Sequence, residues 1–154
     1  MALFKFVDSI LKGEKIDIFN NGDMIRDFTF IDDIIEGVNR LISKVPSHVS
    51  VPSSKIQNDT LSHVAPWRVV NIGSSAPKKL MDFVEAIEEA LGIKARLNYV
   101  DMQEGDVGRT YADVSLLRNL TNFTPQTELV DGIRSFVNWF KEYNGSIQEV
   151  RGSK

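Results

Sequence analysis

The sequence predicts an α/β protein, and three observations carry that expectation. Short apolar runs of strand length alternate with amphipathic helical stripes along the chain. Turn residues punctuate nearly every change of period. The helical stripes also outnumber the strands, leaving little sheet for the helices to cover. At 154 residues the chain can bury a core of its own.

Leu3, Phe4, Val7, Ile10 and Leu11 recur at helical spacing, and Gly13 ends that helix. Ile16, Ile18 and Phe19 read as a short strand stopped by the turn residues Asn20, Asn21 and Gly22. A second extended run covers Phe28 to Ile31. Asp32 and Asp33 then offer N-cap carboxylates, with Glu36 placed as in a capping box. The helix that follows is expected to bury Ile34, Ile35, Val38, Leu41, Ile42 and Val45 on one stripe.

Residues 46–66 change character, with Pro46, Pro52, Ser53, Ser54 and Pro66 marking a long polar loop. We read it as a mobile insertion within one domain spanning 1–145. The remaining residues, 146–154, are expected to form a disordered tail. After the loop, the apolar run from Trp67 to Ile72 suits a buried strand, and Pro77 suits the first turn of the next helix. That helix carries Leu80, Phe83, Val84, Ile87, Ala90 and Leu91 and ends at Gly92. Ala95 to Val100 is a further strand, and residues 115–120 form a short helix. A last helix from about Thr127 carries Leu129, Ile133, Phe136, Val137 and Phe140.

Composition narrows the function. A formal net charge of -3 supplies no basic face for nucleic acid, although a small anion needs only one or two placed cations. With no cysteine there is no disulfide framework, thiol nucleophile or cysteine-ligated zinc. No run approaches the length of a membrane span and no signal-peptide layout opens the chain, so a cytoplasmic protein without membrane contact is expected. There is no Gly-rich strand–helix turn of the dinucleotide or P-loop kind. His48 and His63 both fall in the polar loop and read as solvated, and no metal site is expected.

The positive signal is Arg26, a planar fork of donors between a Gly-containing turn and a short apolar run, suited to a phosphate or pyrophosphate. Its bland alternative is a surface pair with Asp23 or Asp27. Gln103, Glu104, Asp106 and Arg109 gather around Gly105 and Gly108. There Asp106 offers an acceptor for ribose hydroxyls and Gln103 a polar amide; the alternative is a solvated loop. Phe19, at a strand end, could stack on a base or simply belong to the core.

The order of motifs resembles the extended short-chain dehydrogenase/reductase family of NAD-dependent nucleotide-sugar epimerases and dehydratases. The resemblance rests on IDIF (16–19), GDMIRDFTFIDD (22–33), APWRVVNIGSSAP (65–77), QEGDVGRTYAD (103–113) and FTPQTELVDGIRSFVNWF (123–140), and it covers residues 1 to 143. MALFKF, APWRVVNIG and GDV look most like the UDP-glucuronate 4-epimerase branch. The resemblance implies the C-terminal substrate-binding part of such an enzyme, without the N-terminal dinucleotide-binding Rossmann half.

By that resemblance Arg26 holds the substrate diphosphate, Asp17 and Phe19 line the uracil site, and Asp106 binds the ribose. Gln103 stands where many relatives carry an arginine to the diphosphate. NAD would be bound by the N-terminal half, so no residue of this chain is expected to bind it. The family's GxxGxxG loop, Tyr-xxx-Lys pair and Ser/Thr have no counterpart here, and the chain alone is expected to be catalytically inactive. A dehydratase, a decarboxylase or a standalone nucleotide-binding module are the alternatives. Without a Rossmann layer, the apolar faces at Ile34/Val38 or Ile133/Phe140 are expected to be uncovered and to drive self-association.

Overall fold

The computed structural model describes residues 2–46 and 59–152, with side chains through 145. Most of the expected loop over 46–66, including His48, lies outside the described residues. Among the described residues five helices and four short strands follow one another: α1 (Ala2–Leu11), β1 (Lys15–Ile18), a 3-10 turn (Phe19–Gly22), β2 (Ile25–Arg26), α2 (Ile31–Ile42), β3 (Lys78–Lys79), α3 (Leu80–Leu91), β4 (Arg96–Tyr99), α4 (Ser115–Thr121) and α5 (Leu129–Gly152). α5 thus continues past 145, where the sequence reading ends the domain. The chain divides into two compact units, one comprising Met1–Ile25, Lys78–Arg109 and Glu128–Lys154, the other Arg26–Pro77 and Thr110–Thr127.

The first unit is built on a parallel pair of strands. β1 and β4 run side by side in the register Lys15↔Arg96 to Ile18↔Tyr99. Parallel strands need a crossover, and here it contains α3. Alternation decides which residues enter the core: Ile16 and Ile18 are buried, while Lys15 and Asp17 are exposed. Val7 and Ile10 of α1, Phe83, Val84, Ala86 and Ile87 of α3, and Ile133, Val137 and Phe140 of α5 complete that core. Phe4 meets the edge of Phe140 with ring centroids 5.0 Å apart, a favoured aromatic geometry. Ile133 and Phe140 are therefore packed within this unit, not uncovered as expected. Gly13 and Gly92 close α1 and α3 in the left-handed region, as their positions after the apolar stripes predict.

The second unit holds α2, α4 and the segments around them. Val114, Leu116, Leu117 and Thr121 are buried. Gly37 lets α2 approach its neighbours, since a Cβ there would meet Ile72 at 3.2 Å and Phe123 at 3.7 Å. The Arg40 guanidinium lies 5.0 Å from the Phe123 ring centroid. The expectation for the apolar stripe of α2 is overturned for most of its length. Ile31, Ile35, Val38, Ile42 and Val45 are all between 50% and 77% exposed, while Ile34 and Leu41 are half-buried. The 67–72 run also differs: it forms no strand, and Trp67 and Val69 are exposed. A strand needs a partner edge, and none runs alongside this segment among the described residues.

The aspartates of α2 do not cap it. The N-cap is Phe30, without a side-chain bond, and Asp32 and Asp33 sit in the first turn, where negative charge suits the helix dipole. Asp33 instead accepts the backbone N–H groups of Gln126 and Thr127, at 3.2 and 2.9 Å, and Glu36 pairs with Arg40 one turn on. Asp33 thereby anchors the chain beyond α4.

Candidate functional site

In the first unit the parallel pairing decides where the site residues gather. Because β1 and β4 point the same way, the residues that follow them leave the sheet at the same end. Ligands of open α/β sheets bind outside the carboxyl ends of the strands. There the Asn20 and Asn21 backbones adopt φ of 50° and 51° and Gly22 reaches 85°, as the Asn-Asn-Gly turn signal anticipates. The turn is tied to β4 by the Asn21 N–H on the Val100 carbonyl at 3.2 Å, while the Val100 N–H bonds the Ile18 carbonyl at 3.0 Å. Further on, the Ile25 N–H donates to the Gly108 carbonyl at 2.9 Å, and Ile25 bridges Arg109 in parallel.

Asp17 faces outward from β1, and the Asn98 side-chain amide donates to its carboxylate at 2.7 Å from the directly opposed position on β4. Phe19 opens the turn and is exposed rather than part of the core. Gln103 and Asp106 lie in one exposed turn. The Asp106 N–H bonds the Gln103 carbonyl at 3.1 Å, and Gly105 takes the left-handed conformation that the turn needs. The Asp106 carboxylate also accepts the Val107 N–H at 2.8 Å. The first unit thus brings Asp17 and Phe19 to the same strand ends that Gln103 and Asp106 follow. Arg109 is engaged through its backbone with Ile25.

Arg26 belongs to the second unit, where it is half-buried at the end of β2. Its neighbour Asp27 is the most heavily bonded carboxylate of that unit's described residues. Asp27 Oδ1 accepts the Ser74 N–H at 3.1 Å and the Ser74 hydroxyl; Oδ2 accepts the Ser75 N–H at 3.1 Å and the Ala112 N–H at 2.9 Å. The Asp27 N–H in turn donates to the Thr110 hydroxyl oxygen at 3.0 Å. Sequence reasoning considered Asp27 only as a surface partner of Arg26. The adjacent serines at 74 and 75 were the one signal in the sequence, since hydroxyls and successive backbone N–H groups at a turn make an acceptor's nest.

His63 is exposed, and among the described residues no group of three or more His, Asp or Glu side chains is placed to hold a metal ion. No described helix is long and apolar enough to cross a membrane.

Residues 2–136 match the family model for GDP-mannose 4,6 dehydratase. The chain is 48% identical over 143 residues to Protein CapI of Staphylococcus aureus, covering 93% of this chain and 42% of the relative. It is 47% identical over 142 residues to a probable UDP-glucuronate 4-epimerase of Rhizobium meliloti, covering 92% of this chain and 42% of that protein. The chain therefore spans about two fifths of the length of these relatives. Among solved structures, the UDP-glucuronic acid 4-epimerase of Bacillus cereus in complex with UDP-glucuronic acid and NAD superposes with a TM-score of 0.73 at 24% identity, over 93% of this chain and 40% of that one. This likeness bears on the fold alone. The chain belongs to the GDP-mannose 4,6 dehydratase family and has the fold of the C-terminal part of an extended short-chain dehydrogenase/reductase.

Proposed function

We propose that this chain binds and orients the UDP portion of a UDP-sugar, UDP-glucuronate foremost, for an NAD-dependent epimerisation at C4. In this reading Asp17 and Phe19 receive the uracil, Asp106 the ribose, and Arg26 with Gln103 the diphosphate. NAD and the groups that move the proton and hydride belong to a Rossmann domain, so this chain contributes binding and positioning. Taken alone it is a binding unit without turnover.

The observation that carries the reading is the parallel β1–β4 pair: Phe19 and the Gln103–Asp106 turn follow its two strands at one sheet end, and Asp17 stands on the exposed face one residue before the end of β1. Two carboxylates and an aromatic ring near the carboxyl ends of parallel strands suit a nucleoside, whose imide and hydroxyl hydrogens need acceptors. The 47% identity to a probable UDP-glucuronate 4-epimerase supports the choice of nucleotide sugar. Calorimetric titration of the 154-residue chain with UDP is the test. We expect binding that weakens about tenfold in Arg26→Ala, as loss of a charge-assisted contact to phosphate requires. Equal affinities for both proteins would remove Arg26 from the site.

The exposed α2 stripe belongs to the same reading. Ile31, Ile35, Val38 and Ile42 are spaced four, three and four residues apart along α2, the repeat by which one helix seats on another. We propose that a Rossmann layer covers this face in the complete enzyme, and that the isolated chain covers it by self-association.

A further inference from the structure

We propose that Asp27 is a positioning residue that sets the direction of the Arg26 side chain toward a diphosphate; this rests on the diphosphate reading of Arg26 given above. A carboxylate has about four lone-pair sites, and those of Asp27 meet four donors, three backbone N–H groups and one hydroxyl. The donors come from two stretches distant in sequence, 74–75 and 112, so the carboxylate ties both to the 26–27 backbone.

The cluster is tight. Ser75 holds a left-handed φ of 55°, unfavourable for a residue with a Cβ, and its hydroxyl donates to the Ala112 carbonyl. The Ser74 N–H is shared with the Thr29 hydroxyl oxygen at 3.1 Å. The peptide joining Arg26 to Asp27 is held as well, because its N–H donates to Thr110. On extended backbone, neighbouring side chains leave on opposite sides. Anchoring Asp27 among 74–75 and 112 therefore sends Arg26 away from that cluster. An anion receptor benefits because the guanidinium is directed before the ligand arrives and less ordering accompanies binding.

The test compares UDP with uridine, which lacks the diphosphate, by calorimetry on the 154-residue chain, with thermal unfolding measured for every variant. Asp27→Asn turns an NH2 group toward N–H donors, and Thr110→Val removes the acceptor for the Asp27 N–H at similar volume. We expect both to reduce the UDP-to-uridine affinity ratio, by about tenfold and about threefold respectively, and Thr110→Ser to restore it. Added to Arg26→Ala, neither should lower the ratio further. A lowered melting temperature with an unchanged ratio would make Asp27 merely structural and overturn the proposal. If Asp27→Asn does not fold, Thr110→Val and Thr110→Ser decide alone. Should Arg26→Ala leave the ratio at its wild-type value, the diphosphate reading falls and takes this proposal with it. Should Arg26→Ala collapse the ratio while the other variants leave it intact, the reading stands and only the role of Asp27 falls.

Discussion

Asn98 donates a 2.7 Å hydrogen bond to Asp17 from the position directly opposite it in the parallel β1–β4 pair. The two side chains share the exposed face of a two-stranded sheet whose other face carries the buried Ile16 and Ile18. An amide opposite a carboxylate can donate, whereas a second carboxylate can only repel. Asn98→Asp should therefore destabilise the chain by about 0.5–1 kcal/mol at low salt, and less at high salt. Asp17→Asn combined with Asn98→Asp reverses the pair and should recover most of the loss. Urea unfolding of wild type and the two variants measures it, and an unaltered midpoint in Asn98→Asp would mean that the pair contributes nothing.

Acid should loosen the junction between α3 and β4. Glu88 accepts the Ala95 N–H at 2.9 Å and the ammonium of Lys94. Burial pushes its carboxyl up, but the bonds from Lys94 and Ala95 outweigh that and hold it below the ordinary value of 4.5. A depressed value in the folded state means that the unfolded chain binds the proton more readily. The stabilisation is thus complete above the ordinary carboxyl value and is lost as pH falls through the lower folded value. Glu88→Gln should cost about 1 kcal/mol at neutral pH, and the gap from wild type should narrow as pH falls below 4.5 and close once pH has passed the lower folded value. A gap independent of pH would sink the assignment.

Periodicity identified the helices well because α1, α3 and α5 each bury one stripe within a single unit, and the stripe is all the sequence needs to display. It failed where a second surface was required to interpret it. The spacing of Ile31, Ile35 and Val38 says that they share a face, but it cannot say what covers that face. The 67–72 run is apolar enough for a strand, yet a strand forms only beside another edge. At the candidate site, the turn residues around Phe19 and Gly105 could be read locally. Asp27 could not, since its partners lie 47, 48 and 85 residues away. Asn98 was hidden for the same reason, because its relation to Asp17 is created by the β1–β4 register.

The α2 face predicts an association state. In sedimentation velocity at micromolar concentration the isolated chain should run as a dimer or larger species. Ile35→Glu with Ile42→Glu places two charges on the exposed stripe and should shift it to monomer. Folding stability should change by no more than about 0.5 kcal/mol, because neither side chain is buried within the chain. A wild-type monomer at all concentrations would refute self-association through this face.

Gly73 predicts a stability loss that a second substitution should repair. Its backbone is not among the left-handed glycines, so conformation alone does not require glycine there. Space does: an added Cβ would stand 2.4 Å from the Ala112 Cβ and 3.4 Å from Asp27 Oδ2. The neighbour is not the far end of a flexible side chain, so the backbone around 73–75 or 112 must move. Gly73→Ala should then cost about 2 kcal/mol in thermal or urea unfolding. Ala112→Gly removes the opposing methyl and, although it adds chain entropy of its own, should return at least half of that loss in the double variant. Additive losses in the pair would place the origin of the glycine elsewhere than in this contact. Recovery would show that the close approach of 73 to 112, across which Asp27 collects its donors, limits what residue 73 can be.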